Sequence, residues 1–325
     1  MSLILGPVGE RYGGIVSAPA PAPQTRPGIR GTRWFPLLWL VPIGLVGLVA
    51  AVLVARGLRE LPDIQAFIAQ FPGETEIQPG TPVGFPWWLQ WQHALNAFFL
   101  VLIVRTGWQI GSGKRPPAFW TRRNDGLIRT KNPPRRLSIH VWFHLVLDAL
   151  WVVNGILYWV LLFATGQWLR LVPVSWDVVP HALSVFIQYL SLDWPTHDGW
   201  VHYNALQLLM YGFTVFIAAP VALFTGIRLS SVWKPEWRFV PEKPTRWLHI
   251  AVMVYFLAFT FVHVVLIFAT GALRNLNHMY AGRDDESWIG LAIFAVSVVV
   301  VIVGWVLARP VVLTRLAALG GTVRR

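Results

Sequence analysis

Long apolar runs alternate with short charged segments along most of the chain. Six runs come close to the ~20 residues that an α-helix needs to cross a bilayer. They are Trp34–Ala55, Trp87–Ile110, Leu137–Phe163, Leu206–Ile227, Trp247–Ala269 and Trp288–Ala308. Several begin or end at Trp, as an interfacial aromatic belt favours. A further stretch, "VVPHALSVFIQYLSLDW", lies between the third and fourth runs. It is too short and too broken to cross, and predicts an interfacial helix or a cap within an outer insert at about 168–200. Residues 1–33, with "SAPAPAPQTRPG", show no apolar periodicity and read as a disordered Pro/Ala-rich arm. No apolar core follows the start, so this arm does not read as a signal peptide. No sequence-level repeat is visible among the six runs.

The charges between the runs set an orientation. The arm carries Arg11, Arg26, Arg30 and Arg33. The segment after the second run carries Lys114, Arg115, Arg122, Arg123, Arg129, Lys131, Arg135 and Arg136 against one acid, Asp125. Lys234, Arg238, Lys243 and Arg246 follow the fourth run, and Arg309, Arg315, Arg324 and Arg325 lie in the basic tail 309–325. The other three connections are acid-rich: Glu60, Asp63, Glu74 and Glu76, then Asp177, Asp193 and Asp198, then Asp284, Asp285 and Glu286. The alternation is complete and predicts six crossings with both termini cytoplasmic.

Composition agrees with a membrane chain. Of 325 residues, 55% are hydrophobic and 13% charged, against about 25% charged in soluble domains. The net charge of +12 follows from basic cytoplasmic loops, and no nucleic-acid partner is needed to explain it. There is no cysteine. That excludes disulfides, cysteine-ligated iron–sulfur clusters and covalently attached c-type haem.

Ionisable groups inside a span are costly and mark candidate sites. Five histidines lie in or at the edge of spans: His93, His140, His144, His249 and His263. His249 and His263, in "HIAVMVYFLAFTFVH", are fourteen positions apart. At roughly 100° per residue both face one side of the helix, with a rise between them of about 21 Å. The orientation places His263 at the depth of His93, near the outer surface, and His249 at the depth of His140, near the inner one. Two depth-matched pairs suit two b-type haems held by bis-histidine ligation in a helix bundle. Zinc and copper want three or four clustered ligands. Two other readings stay open: histidines hydrogen-bonded between helices, and a proton relay, for which Asp148 is the only mid-span carboxylate. His144 lies one turn from His140 on the same face and is the alternative inner ligand, with His140 favoured by depth. His181, His197, His202 and His278 fall in or near the outer loops. His202 and His278 lie close to the outer site.

The same blocks resemble the di-haem cytochrome b family that anchors formate dehydrogenase, nickel–iron hydrogenase and thiosulfate reductase in bacterial membranes. "QHALNAFFLVLIVRTGWQI", "LSIHVWFHLVLD", "HYNALQLLMYGFTVFIAAPVALFTGI" and "RWLHIAVMVYFLAFTFVH" are similar to its four helices, over about residues 87–270. The resemblance implies an all-α membrane protein whose four-helix di-haem bundle core is flanked by the first and last of six transmembrane helices. It implies haem ligands at His93, His140, His249 and His263. It also implies a quinone site at Asn204 and Gln207, although those residues equally suit the start of a helix. The chain departs from the family in three ways. The added first span turns the core over, so that the YNxxQ end faces outside. His144 stands where a small glycine is expected, so it either shifts a haem or ligates one. "TGALRNLNHMYAGRDDESW" has no counterpart and reads as a surface for an extracytoplasmic partner.

The expected function is electron transfer in the bacterial inner membrane. Two haem b groups would relay electrons between a catalytic oxidoreductase subunit and quinone dissolved in membrane lipid. No nucleotide-binding glycine loop or metal-hydrolase cluster is present, so the chain reads as the electron-transfer subunit of an oxidoreductase complex. The alternatives are a proton channel or transporter working through the same histidines, and a stand-alone quinone-dependent reductase at the outer haem.

Overall fold

A computed structural model describes residues 38–325 except 126–128, 132, 195–197, 232, 234–236 and 238. The arm 1–33, the start of the first span at Trp34, His197, Lys234 and Arg238 lie outside the described residues. The fold is all-α apart from one small sheet. Its helices are α1 (Leu40–Arg59), α2 (Pro62–Gln70), α3 (Trp87–Gly111), α4 (Ile139–Ala164), α5 (Val178–Leu190), α6 (Ala205–Phe213), α7 (Ala219–Leu229), α8 (Glu242–Ala269), α9 (Ala272–Leu276), α10 (Ile289–Leu307) and α11 (Pro310–Gly320). Among the described residues, six segments are long and apolar enough to cross a membrane: α1, α3, α4, α6 continuing into α7, α8 and α10. α5 is shorter, as its broken pattern predicts. The chain divides into two units, Met1–Ala51 and Val52–Arg325. The first holds the opening turns of α1, where residues 40–50 are exposed.

Most spans end within two residues of the apolar runs. α8 starts five residues earlier than its run, because Pro244 in the first turn and the charged Glu242 are compatible with a helix start. The fourth span changes pitch at Thr214–Ala218, which forms a π-turn. Pro220 follows directly and has no amide proton to give, so the ladder before it is where the helix must adjust.

At one end of the second unit, the basic connection and the tail fold together. β1 (Phe119–Arg122), β2 (Arg136–Ser138) and β3 (Gly321–Arg324) form an antiparallel sheet in the order β2-β1-β3. Beneath it Ala118, Ile139, Leu313 and Ala317 are buried with Trp120, Trp142, Phe143 and Val323 packed around them. Trp120 Nε1 donates to Ala317 O at 2.9 Å. The tail expected at 309–325 is therefore α11 followed by β3.

The acid-rich connections meet at the opposite end. Arg170 reaches Gly84 and Trp200, Gly73 N donates to His181 Nδ1 at 3.1 Å, and Arg274 pairs with Asp198 and Asp284. Arg59 at the end of α1 pairs with Asp193.

Candidate functional site

Contacts at three levels fix α3 antiparallel to α4. Thr106 meets His144, Asn154 Nδ2 donates to Asn96 Oδ1 at 3.3 Å, and Trp88 packs edge-on to Tyr158. The fourth span and α8 are joined in the same way. Thr225 meets His249, Thr214 Oγ1 hydrogen-bonds Tyr255 OH at 2.7 Å, and Tyr211 packs against His263. Phe216 packs on Trp159 and Phe163 of α4, and His93 of α3 faces His263 of α8. Polar side chains between apolar helices hold register where burial of carbon alone gives no preference.

Toward the acidic end, the ring centres of His93 and His263 lie 6.2 Å apart, tilted by 54°. Phe259 stacks on His263 at 5.7 Å, Tyr211 meets the same ring edge-on at 6.0 Å, and Tyr280 meets His93 at 5.7 Å. The Nδ1 atom of His93 is buried and has no partner. An imidazole nitrogen sits about 2 Å from a first-row metal and roughly 1 Å from its ring centre, so two ligands across one ion put their centres about 6 Å apart. The separation across this pair therefore matches a shared iron.

Toward the basic end, His144 meets Thr106 of α3. Its Nδ1 lies 2.7 Å from Thr106 Oγ1. His249 Nδ1 lies 2.9 Å from Thr225 Oγ1. In both cases the next residue is glycine. A Cβ added at Gly107 would lie 3.6 Å from His144 Cε1, and one at Gly226 would lie 3.7 Å from His249 Cε1. The α3–α4 hairpin and the hairpin of the fourth span with α8 thus carry the same Thr-Gly and His arrangement, a repeat that the sequence pattern alone did not reveal. His144 and His249 are near enough for charge on one to be felt at the other. His140, the depth-favoured inner ligand, lies one turn further toward the basic end, near Arg105, with its buried Nδ1 unpartnered. His144 Nε2 also lies 3.7 Å from Asp148 Oδ2, beyond hydrogen-bond length.

Among the described residues, no three of His, Asp or Glu converge on a metal-ion cage. Each histidine pair offers two nitrogen ligands. That donor set fits a macrocycle that brings its own four nitrogens, and the glycines leave space beside both basic-end rings.

Asn204 and Gln207 shape the start of α6. Asn204 Oδ1 accepts from Gln207 N at 2.9 Å, and Gln207 Oε1 accepts from Asn204 N at 3.2 Å, which closes a capping box on α6. Asn204 Nδ2 donates to Tyr189 OH at 2.8 Å, and Gln207 also hydrogen-bonds Tyr211. Asn204 is 1% exposed. Both amides are committed to the fold.

The acidic-end cover rests on Arg170, which is 2% exposed. It donates to Gly84 O at 2.8 Å, Trp200 O at 3.1 Å and Gly199 O at 2.7 Å, and lies over the rings of Phe85 and Tyr203. Gly84 has φ +82, and a side chain there would run into the Trp200 ring. His278 stacks on Phe85 and bonds Asp284 Oδ1 at 2.8 Å. The Arg274 hydrogen bond, then that of His278, holds the Asp284 carboxyl down at about 2. Both ring nitrogens of His202 are buried without a partner. Burial first, then the Arg170 charge, pushes this imidazole below its usual value against an opposing pull from Glu74. The segment expected as a partner surface is stapled by its own side chains. The Asn277 side chain donates to Asp285 O and Ser287 O at 2.8 Å and accepts from Gly290 N at 2.6 Å.

Thr106, Thr225, Gly107 and Gly226 are residues to which sequence reasoning gave no role. The signal was present as "TG" near the ends of the second and fourth runs. Its chemistry appears only when the histidine of the next helix is placed beside it. Comparison with models of known families, with curated proteins and with solved structures gives no match.

Proposed function

We propose that this multi-pass membrane protein is the electron-transfer subunit of a bacterial inner-membrane oxidoreductase, with both termini cytoplasmic. His93 and His263 hold one b-type haem, and His144 and His249 hold a second. The observation that carries this reading is the 6.2 Å between the His93 and His263 ring centres, a separation at which both imidazoles would hold one iron. When bound, the haems supply a one-electron relay across the membrane between a catalytic subunit and quinone. The rest of the work falls to the chain. Four spans hold the histidines at fixed depths, Phe259, Tyr211 and Tyr280 crowd the acidic-end pair, and the Arg170 cover excludes water from above. His144 is taken over His140 as the basic-end ligand because Thr106 orients its ring. The resemblance to di-haem cytochromes b supports the same reading through residue pattern alone.

The test is haem stoichiometry. Full-length protein expressed with haem supply should show a reduced-minus-oxidised b-type spectrum and two haems per chain by pyridine haemochrome. His263→Ala and His144→Ala should each lose one, and His140→Ala should keep both. Absence of a b-type band in the wild type sinks the proposal. One contact favours a second reading, an intramembrane proton path, and that is Asp148 beside His144. Asp148→Asn separates the two. Unchanged haem content with lost proton flux into vesicles supports the path, and unchanged flux dismisses it.

A further inference from the structure

We propose that Thr106 and Thr225 are positioning residues that fix the tautomer of His144 and His249, so that each ring presents an Nε2 lone pair to a metal and carries its proton on Nδ1. The proposal rests on the two-haem reading and deepens it.

A threonine hydroxyl has one proton to donate and lone pairs to accept with. Thr106 Oγ1 lies 3.0 Å from Leu102 O and 2.9 Å from Ile103 O, carbonyls that can only accept. Its proton is committed to that turn of its own helix. Toward His144 Nδ1, at 2.7 Å, the oxygen can then only accept, so Nδ1 is the donor. Thr225 repeats the arrangement, with Val221 O at 2.7 Å, Ala222 O at 3.1 Å and His249 Nδ1 at 2.9 Å. A neutral imidazole carries one N–H. With that proton on Nδ1, Nε2 is left as a bare donor atom, the form a metal needs.

Back-bonding to the helix holds the threonine rotamer, and with it the direction from which the hydroxyl oxygen meets Nδ1. The residue after each threonine is glycine, whose missing side chain leaves room beside Cε1, the carbon between the two ring nitrogens. The other histidines differ. The Nδ1 atoms of His93 and His140 are buried with no partner, so nothing comparable selects their tautomer. The two sites are unequal by construction. Donation from Nδ1–H makes an imidazole a more basic ligand and favours ferric over ferrous iron, so it lowers the reduction potential at the basic-end site. No proton moves between the two oxidation states in this scheme.

Thr106→Val and Thr225→Val keep the shape and remove the hydroxyl, and Thr106→Ser and Thr225→Ser keep the hydroxyl. In redox titration of the haem-loaded full chain, each Val variant should raise one of the two midpoint potentials and leave the other in place. Each tenfold loss of preference for ferric iron is a rise of about 59 mV for one electron. The Ser variants should titrate like the wild type. Val variants that keep both haems at unchanged potentials overturn the proposal. If a Val variant loses a haem, a Ser variant that keeps both supports it, and a Ser variant that loses one as well overturns it. Nitrogen-15 NMR of histidine-labelled, haem-free protein, assigned with His144→Ala and His249→Ala, gives an independent readout. Nδ1–H signals are expected, and Nε2–H signals overturn the assignment whatever the haem content. A wild type with Nδ1–H tautomers that binds no haem defeats the two-haem reading alone.

Discussion

Arg170→Met should loosen the cover at the acidic end while leaving the spans assembled. The wild-type guanidinium is buried and donates to three backbone carbonyls from two separate connections. Hydrogen bonds from a charged donor contribute about 1.5 kcal/mol or more each. The two ring faces it lies over add roughly 2 kcal/mol or more together in this desolvated setting. Against that stands the cost of dehydrating a guanidinium, several kcal/mol, which methionine does not incur. Removing one partner from such a set is strongly destabilising because the others stay buried, and the net expectation is a loss of about 3 kcal/mol. One carbonyl is partly rescued, since Gly84 O also accepts from Gln167 Nε2 at 3.4 Å. The assay is thermal unfolding in detergent beside limited proteolysis of the connections holding Gly84 and Trp200. Cleavage there should rise by about two orders of magnitude at 25 °C if it follows the open population. An Arg170→Met protein with wild-type protease resistance would falsify the assignment of this arginine as the fastening of the cover.

Three further outcomes follow from the same contacts. On the two-haem proposal, Gly226→Ala should keep both haems, because its Cβ meets His249 at ordinary contact distance, whereas Gly226→Leu should lose one, read by pyridine haemochrome. Gly290→Ala should destabilise by about 1–3 kcal/mol, since its Cβ would strike Asn277, and a thermal melt no lower than wild type would refute the staple. The Asp284 carboxyl, held at about 2 against its usual 3.8, contributes stability above pH ~4 that is lost as pH falls through its folded value. Hydrogen exchange over 271–288 should therefore quicken between pH 4 and pH 2 in the wild type, and Arg274→Gln should flatten that dependence.

The spans were legible because apolar length is a one-dimensional property, read without knowing any neighbour. The pairing of His93 with His263 was legible for a related reason, since loop charge fixes direction and position fixes depth. Depth resolves a ligand only to about one turn, ~5.4 Å. His140 and His144 are one turn apart, and the choice between them turns on the register of α3 against α4, set by Thr106. Asn204 and Gln207 looked like donors to a ligand because their mutual capping depends on backbone angles that a sequence does not display. The sheet stayed hidden because its strands span only three or four residues each, and β1 finds β3 about 200 residues further along the chain.

The β1–β3 pairing also has a consequence in time. β1 is made about 200 residues before β3, which at 5–20 residues per second is roughly 10–40 s of synthesis. Through that interval Phe119–Arg122 can pair with β2 on one side and has an open edge on the other, while Trp120 lacks its Ala317 acceptor. The basic cap can close only after α10 has been threaded and α11 laid down. Completion of the membrane-embedded part is thereby reported at the basic cap. A chain stalled or cut before residue 321 would display an unpaired strand edge, a ready mark for chaperone or protease.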